Sequence, residues 1–149
     1  MMNEWFECKV RYEKTLENGL VKKVTEPYLV DALSFTEAER RFIEEIEPFM
    51  SGEFQVTDIK RAKYAELFET DEDAADRWFK AKVAFITLDE KSGAEKKTAA
   101  QMLAQASDLK DAIAVLEDGM KGTLADYTIA SVTETPLIDV FPFDANSVP

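Results

Sequence analysis

The sequence contains the stretch WFECKV at residues 5–10 and a closely similar stretch, WFKAKV, at residues 78–83, which begins 73 residues later. Three further pairs keep almost the same spacing. They are Ser34 and Ser107, Lys22-Lys23 and Lys96-Lys97 after a slip of one residue, and Leu67-Phe68 and Val140-Phe141. This spacing is longer than the period of a solenoid repeat, so it indicates a duplicated half-domain.

The two copies are expected to share one hydrophobic core. The chain has 149 residues, which is the size of one domain, whereas a single copy of about 64 residues would be only marginally stable. The first copy spans about residues 5–68 and the second about residues 78–141. We therefore predict a single domain over residues 1–149, in which residues 142–149 form a C-terminal tail.

Each copy begins with two strands joined as a hairpin. Apolar and polar side chains alternate over residues 5–14, which is typical of a half-buried β-strand. Asn18-Gly19 then predicts a tight turn, so residues 20–30 return as a second strand. In the second copy, residues 89–93 are expected to turn a hairpin in the same way.

A helix and a third strand complete each copy. Ser34 or Thr36 is predicted to cap the first helix, and Ser107 the second. The third strand of the first copy covers residues 53–67, and the alternation breaks near Thr57-Asp58, which predicts a β-bulge there. A matching strand follows the second helix. Each copy is therefore predicted to be a ββαβ unit.

The predicted fold class is α+β, with duplicated ββαβ units that form a mainly antiparallel sheet of about six strands. Each helix has one apolar stripe and each first strand has one apolar face, so both helices are expected on one face of the sheet. That arrangement leaves the opposite face of the sheet open.

Composition excludes several kinds of chemistry. The chain has no histidine and one cysteine, Cys8, which removes Ser-His-Asp and Cys-His catalysis and any zinc site. No glycine-rich phosphate loop occurs between a strand and a helix. We therefore expect no enzyme activity, no catalytic residue, no metal and no cofactor. No run of about 18 apolar residues exists, and the N-terminus lacks a basic signal region, so we expect a cytoplasmic protein with no membrane partner.

The charge is unevenly distributed along the chain. The net charge is −12, which argues against nucleic acid as a partner. However, the predicted strands and hairpins hold 14 of the 18 basic residues and 12 of the 30 acidic residues. The helices, linker and tail carry the remaining acid. The sheet is therefore nearly neutral, and one of its faces is expected to be basic.

The open face of the sheet is the predicted ligand-binding site. Alternation assigns to it Trp5, Lys9, Arg11, Trp78, Lys80 and Lys82, and Lys96 and Lys97 are expected to extend it. Aromatic rings that stack on bases, together with cations that pair with phosphates, are how open sheets hold single-stranded nucleic acid. The alternative interpretation is structural. A tryptophan at the start of a strand often covers the edge of the core, and exposed lysines on a sheet protect it from aggregation.

The second copy and the C-terminal region also carry a family resemblance. The residues concerned are Lys80-x-Lys82-Val83-Ala84-Phe85, Lys96-Lys97, and the stretch from Thr133 to Phe141, TETPLIDVF. In these the chain resembles an uncharacterised family of small proteins from gut Bacteroidales and their phages and mobile elements. The resemblance covers nearly the whole chain and implies a bacterial cytoplasm or an infected cell. It assigns no role to any residue.

Three functions remain open from the sequence. The first is a non-enzymatic protein that binds single-stranded nucleic acid on the open sheet face. The second is a counter-defence protein that sequesters a small nucleotide, which we expect to be a homo-oligomer with its pocket between copies or subunits. The third is an acidic interaction module or nucleic-acid mimic that uses Glu44, Glu45 and Glu47 on its first helix.

Overall fold

A computed structural model of the chain describes residues 4–143. Over these residues the chain forms eight β-strands and two α-helices. The elements in order are β1 (Trp5–Thr15), β2 (Val21–Asp31), α1 (Phe35–Ile46), β3 (Phe54–Ala62), β4 (Glu66–Phe68), β5 (Arg77–Leu88), β6 (Glu95–Ala106), α2 (Leu109–Gly119), β7 (Asp126–Glu134) and β8 (Val140–Phe141). A short 3-10 helix, Glu47–Phe49, follows α1. Of the predicted tail, residues 144–149 lie outside the described range.

The strands form two four-stranded sheets, with the orders β3-β1-β2-β8 and β4-β6-β5-β7. The predicted α+β class is confirmed, but the prediction of one sheet of about six strands is wrong. Each sheet is built around the first strand of its hairpin, because that strand pairs on both sides and leaves no edge through which the sheets could join. Each helix packs on its own sheet.

Two compact units contain these sheets. Unit 1 comprises residues 1–63 and 136–149, and unit 2 comprises residues 64–135. The units differ from the sequence copies at their ends. Strand β4 belongs to the first copy by sequence but pairs in parallel with β6 of unit 2, and β8 belongs to the second copy but pairs in parallel with β2 of unit 1. The terminal segments of the two copies are thus exchanged.

Both sheets have a β-bulge at the same place in the pattern. In unit 1, Lys9 pairs with Asp58 and Val10 with Val56, so Thr57 is the extra residue. In unit 2, Lys82 pairs with Ser131 and Val83 with Ile129, so Ala130 is the extra residue. The bulge predicted near Thr57-Asp58 is confirmed. Equal registers fit an internal duplication, which stays an inference from the sequence.

The helix starts are capped by short polar side chains. The Ser34 hydroxyl accepts the amide of Glu37 at 3.1 Å, which confirms one of the two predicted caps of α1. The predicted cap of α2, Ser107, is wrong by one residue. Asp108 is the N-cap and accepts the Asp111 amide at 2.7 Å, while the amide of Ser107 donates to the Asp111 carboxylate. A carboxylate is as good an N-cap as a hydroxyl, so adjacent Ser and Asp are hard to separate by sequence.

The core of each unit lies between its sheet and its helix. In unit 1, Phe6, Cys8 and Val10 of β1 pack with Phe42 and Ile46 of α1, and all five side chains are buried. In unit 2, the corresponding residues Ala81 and Val83 of β5 pack with Leu116 of α2. Each fully buried large apolar side chain contributes about 1.5–3 kcal/mol to stability. This burial fixes which face of each sheet the remaining side chains occupy.

Candidate nucleic-acid interface

The face of each sheet opposite its helix holds most of the predicted site residues. We call these the helix-free faces. Because β-strand side chains alternate, the packing of Phe6 and Cys8 against α1 directs Trp5, Lys9 and Arg11 to the helix-free face of unit 1. By the same rule, Trp78, Lys80 and Lys82 lie on the helix-free face of unit 2.

Both tryptophans are buried, which contradicts their predicted place on an open surface. Trp5 is 5% exposed and Trp78 is 4% exposed. Their face neighbours Leu29 and Leu103 are buried as well. The start of each helix-free face is therefore apolar and covered, so the indole rings offer no free surface on which bases could stack. The structural interpretation of these two residues fits the burial.

The main chain of Trp78 is also held firmly. The carbonyl oxygen of Trp78 accepts the amide of Thr135 at 2.8 Å and its hydroxyl at 2.9 Å. On the neighbouring strand, Gln105 lies opposite Trp78, and its side-chain oxygen accepts the Thr70 amide at 3.1 Å. These bonds fasten the segments before and after the sheet to the strand that carries Trp78.

Lys80 and Lys82 form an exposed cationic pair on β5. Two residues along a strand span about 6.6 Å, so the two ammonium groups rise from the same face one step apart. Lys80 lies between Leu103 and Thr133, and Lys82 lies between Gln101 and Ser131. All four cross-strand neighbours are uncharged, so no carboxylate stands beside either lysine.

None of the predicted cationic site residues forms an ion pair among the residues that the structure describes. Six ion pairs occur there, and their cations are Lys14, Arg40, Lys60, Arg61, Arg77 and Lys121. In a chain of net charge −12, six cations that stay free of carboxylates within 4.0 Å are available to an external anion.

Lys96 and Lys97 are separated by the sheet and do not act as a pair. Lys97 lies opposite Ile86, which places it on the helix-free face with Lys82, and Lys96 lies opposite Thr87 on the other face. Glu95 and Asp126 also occupy the helix-free face, opposite Leu88 and Ile86. Lys97 therefore sits among acids, and the net positive part of this face is the end with Lys80 and Lys82.

Unit 1 presents a weaker version of this surface. Lys9 is half-buried and lies directly opposite Asp58, which lowers the local positive potential. Glu7, in the position that corresponds to Lys80, pairs with Lys60 at 3.4 Å. Arg11 is exposed between Thr25 and Gln55.

A polar cavity of about 620 Å³ opens in unit 1 where β3 begins. Its lining includes Arg11, Glu13, Lys23, Glu53 and Phe54. The alternation pattern assigns Arg11 to a face but gives no sign of a cavity, because the lining residues come from three separate stretches of the chain. The volume is that of a small-molecule site, and the lining carries both signs of charge.

No cluster of acidic, cysteine or histidine side chains that could hold a metal ion occurs in residues 4–143. The single thiol does not supply a nucleophile. Burial, and then the neighbouring carboxylates Glu7, Asp58 and Glu39, raise the pKa of Cys8 from an ordinary 9.0 to about 12. At neutral pH the thiol is protonated and unreactive.

Comparison with known proteins identifies the family but gives no activity. A family model described as a domain of unknown function (DUF4494) matches residues 4–143. No curated protein and no solved structure matches the chain. Across the described residues, no helix is long and apolar enough to cross a membrane.

Proposed function

The chain belongs to the family defined by that domain of unknown function, DUF4494, and from this premise we propose that it is a non-enzymatic protein that binds single-stranded nucleic acid through phosphate contacts on the helix-free face of unit 2. One observation carries the proposal. Lys80 and Lys82 are exposed, adjacent on one face, free of ion pairs and flanked only by uncharged side chains.

Phosphate contact replaces the base stacking that the sequence suggested. Trp78 is buried, so the face contributes cations and short polar groups rather than rings. Gln101, Ser131 and Thr133 border the two lysines and have hydrogen-bonding groups suited to phosphate and sugar oxygens. Such contacts carry little sequence preference, so the expected binding is general for single strands.

The acidic net charge limits the affinity but does not remove the local potential. At physiological ionic strength the Debye length is about 8 Å, so acids more than roughly one Debye length away are largely screened from the surface lysines. The acids of the same face, Glu95 and Asp126, lie about four residues, or about 13 Å, along the sheet from Lys82. We therefore expect weak, strongly salt-dependent binding in the micromolar range.

Fluorescence anisotropy with a labelled single strand of about 20 nucleotides tests the proposal at about 50 and 200 mM salt. The variant Lys80→Gln/Lys82→Gln removes the two cations. We expect at least tenfold weaker binding at the lower salt, and a slope of log K against log salt that is smaller by about 1.4, since each lost phosphate contact contributes about 0.7.

The matched control is Lys110→Gln/Lys121→Gln, which changes the net charge by the same amount at exposed positions on and after α2. Binding by this variant should stay within about twofold of the wild type. The proposal fails if the wild type shows no binding at about 10 µM protein and the lower salt, or if the control loses as much affinity as the Lys80/Lys82 variant.

The cavity of unit 1 supports a second candidate, the sequestration of a small nucleotide. Arg11 and Lys23 could hold a phosphate, the Phe54 ring could contact a base, and Glu13 and Glu53 could accept its amino groups. A thermal shift with mono- or dinucleotides that is lost in Arg11→Gln, and kept in Lys80→Gln/Lys82→Gln, would favour this function over strand binding.

Both functions suit a cytoplasmic protein of a phage or mobile element, which is the context that the family resemblance implies. Single-stranded nucleic acid occurs during replication and recombination, and small nucleotides act as defence signals. The context gives no preference between the two, whereas the two variant sets above distinguish them directly.

A further inference from the structure

Strand β7 forms a long, open edge of the unit 2 sheet. It has nine residues, Asp126–Glu134, and among the described residues only β5 pairs with it. The side chains of Tyr127, Ile129 and Val132 pack against the core of the unit, so the strand is held in an extended shape. Its outer backbone groups are therefore fixed in place and ready to pair with another strand.

The edge strand of unit 1 shows what protection looks like in this fold. Strand β3 occupies the same position in its sheet as β7, and its residues correspond at the 73-residue spacing. Asp58 and Lys60 of β3 stand where β7 has Ser131 and Thr133. Charged residues on an edge strand discourage pairing with other chains. Strand β7 has no charge between its two ends, no lysine or arginine, and no proline.

We propose that the β7 edge binds an extended, lysine- or arginine-containing segment of another protein by strand addition. The nearby charges are acidic. Asp126 and Glu134 mark the ends of β7, and helix α2, which packs beside β7, carries acids at Asp108, Asp111, Glu117 and Asp118. A basic segment complements this surface.

A second copy of this chain fits the edge poorly. Antiparallel pairing of β7 with its own copy, centred on Ala130, would place Asp126 opposite Glu134 at both ends. Like charges directly opposite each other destabilise a strand pair. The bulge at Ala130 also divides the edge into two short straight stretches, so the incoming segment pairs with about four residues on either side of it.

The test uses a defined probe, the labelled peptide Lys-Val-Thr-Val-Lys-Val-Thr-Val-Lys, blocked at both ends, in an anisotropy titration with the full chain. Two further peptides isolate the mode of binding. One carries N-methyl groups on alternate residues, which removes half of its backbone donors, and the other has glutamate in place of each lysine. We expect binding of the first peptide and at least tenfold weaker binding of the other two.

The protein variants are matched by row and by charge. Thr128→Lys adds a cation to the β7 edge, whereas Ala99→Lys adds one to β6, in the same row of the same face but away from that edge, because both positions lie opposite Ala84. Thr128→Lys should weaken peptide binding at least tenfold, and Ala99→Lys should leave it within about threefold. Unchanged circular dichroism and melting temperature establish that both variants are folded.

Three outcomes would overturn the proposal. They are no binding of the lysine peptide at about 1 mM, equal binding of the N-methylated peptide, or equal loss in Thr128→Lys and Ala99→Lys. Self-association in sedimentation that Thr128→Lys abolishes would also overturn it, because a second copy would then occupy the edge. The result is independent of strand binding by Lys80 and Lys82, since Thr128→Lys adds positive charge and should not weaken binding of a nucleic-acid strand.

Discussion

The Phe68 ring lies directly over Gly119, so that a Cβ atom added to the glycine would come within 2.5 Å of the Cδ1 and Cε1 atoms of the ring. Phe68 is in β4, and Gly119 is the last residue of α2. The missing side chain of Gly119 is what lets the exchanged strand pack against the helix. The contact thus joins the end of the first sequence copy to the core of unit 2.

Gly119→Ala should destabilise unit 2 by about 1–3 kcal/mol, the usual cost of overpacking a well-packed site. The ring must move, and with it the short parallel pairing of β4 with β6. Urea unfolding followed by circular dichroism measures the change. Gly52→Ala is the control, because nothing lies within 4 Å of a Cβ atom at Gly52. It should change stability by less than about 1 kcal/mol. Equal effects of both substitutions would contradict the packing argument.

The parts of the fold that depend on local pattern could be predicted from the sequence. Alternation located β1 and its faces, the Asn18-Gly19 turn located the hairpin, and the broken alternation at Thr57 located the bulge. Each of these follows from a few neighbouring residues. The same reasoning also assigned Lys80 and Lys82 correctly to one face of the sheet.

The parts that depend on distant contacts could not be predicted. Alternation shows that Trp78 and Lys80 share a face, but not that this face is covered at Trp78 and open at Lys80. Strands as short as β4 and β8 carry too little pattern to show which sheet they join. Their exchange depends on contacts such as that between Phe68 and Gly119, which no stretch of sequence reveals alone.

The burial of both tryptophans predicts weak quenching of their fluorescence by iodide. An ionic quencher must touch the indole ring, and Trp5 and Trp78 are the two tryptophans of the chain, so the emission reports on these sites alone. The folded protein should be quenched several-fold less than the chain in urea. Quenching of the folded protein at the level of the unfolded chain would restore the open-face interpretation. Trp78→Ala is unsuited to binding tests, since it should cost about 3–5 kcal/mol of stability.

The raised pKa of Cys8, about 12, predicts slow alkylation of the folded protein. At pH 8 a thiol with the ordinary value of 9.0 is roughly one-tenth thiolate, whereas the Cys8 thiol is about 10³-fold less ionised. Iodoacetamide should therefore modify the native chain at least about 10³-fold more slowly than the chain in urea. Mass spectrometry measures both rates. Comparable rates would show that Cys8 is accessible and ionised in the folded state.

The alkaline stability of unit 1 should depend on Tyr28. Burial, followed by the nearby Glu26 and Asp139 carboxylates, raises the pKa of Tyr28 from 10.0 to about 12. Between about pH 10 and 12 the unfolded chain has released a proton that the folded chain retains, so the free energy of unfolding falls as pH rises. Tyr28→Phe keeps the ring that stacks on Phe141 but removes the titrating group. Its stability should fall less steeply over this range, as measured by urea unfolding. An unchanged slope would contradict this assignment.

A buried charged pair fastens the C-terminal segment to unit 1. Arg41 and Asp31 are both buried, and the Arg41 guanidinium donates to the carbonyl oxygens of Asp31 and, at 3.2 Å, Pro142. The Asp31 carboxylate in turn accepts the Phe143 amide at 3.4 Å. Burial raises the pKa of Asp31, while the Phe143 amide and Arg41 oppose that shift. The carboxylate is thus kept ionised by the contacts that hold the segment in place.

Arg41→Met should therefore destabilise unit 1 by about 3–5 kcal/mol, because it leaves a buried carboxylate without its cation and frees the carbonyl groups that the guanidinium satisfies. The control is Arg40→Met at the adjacent exposed position, whose ion pair with Glu44 at 3.2 Å contributes at most about 0.5 kcal/mol. Adding Asp31→Asn to Arg41→Met should recover part of the loss, since the unpaired charge is then absent. Urea unfolding of the four proteins measures these differences. Similar stabilities of the Arg41 and Arg40 variants would show that the pair contributes no more than an exposed contact.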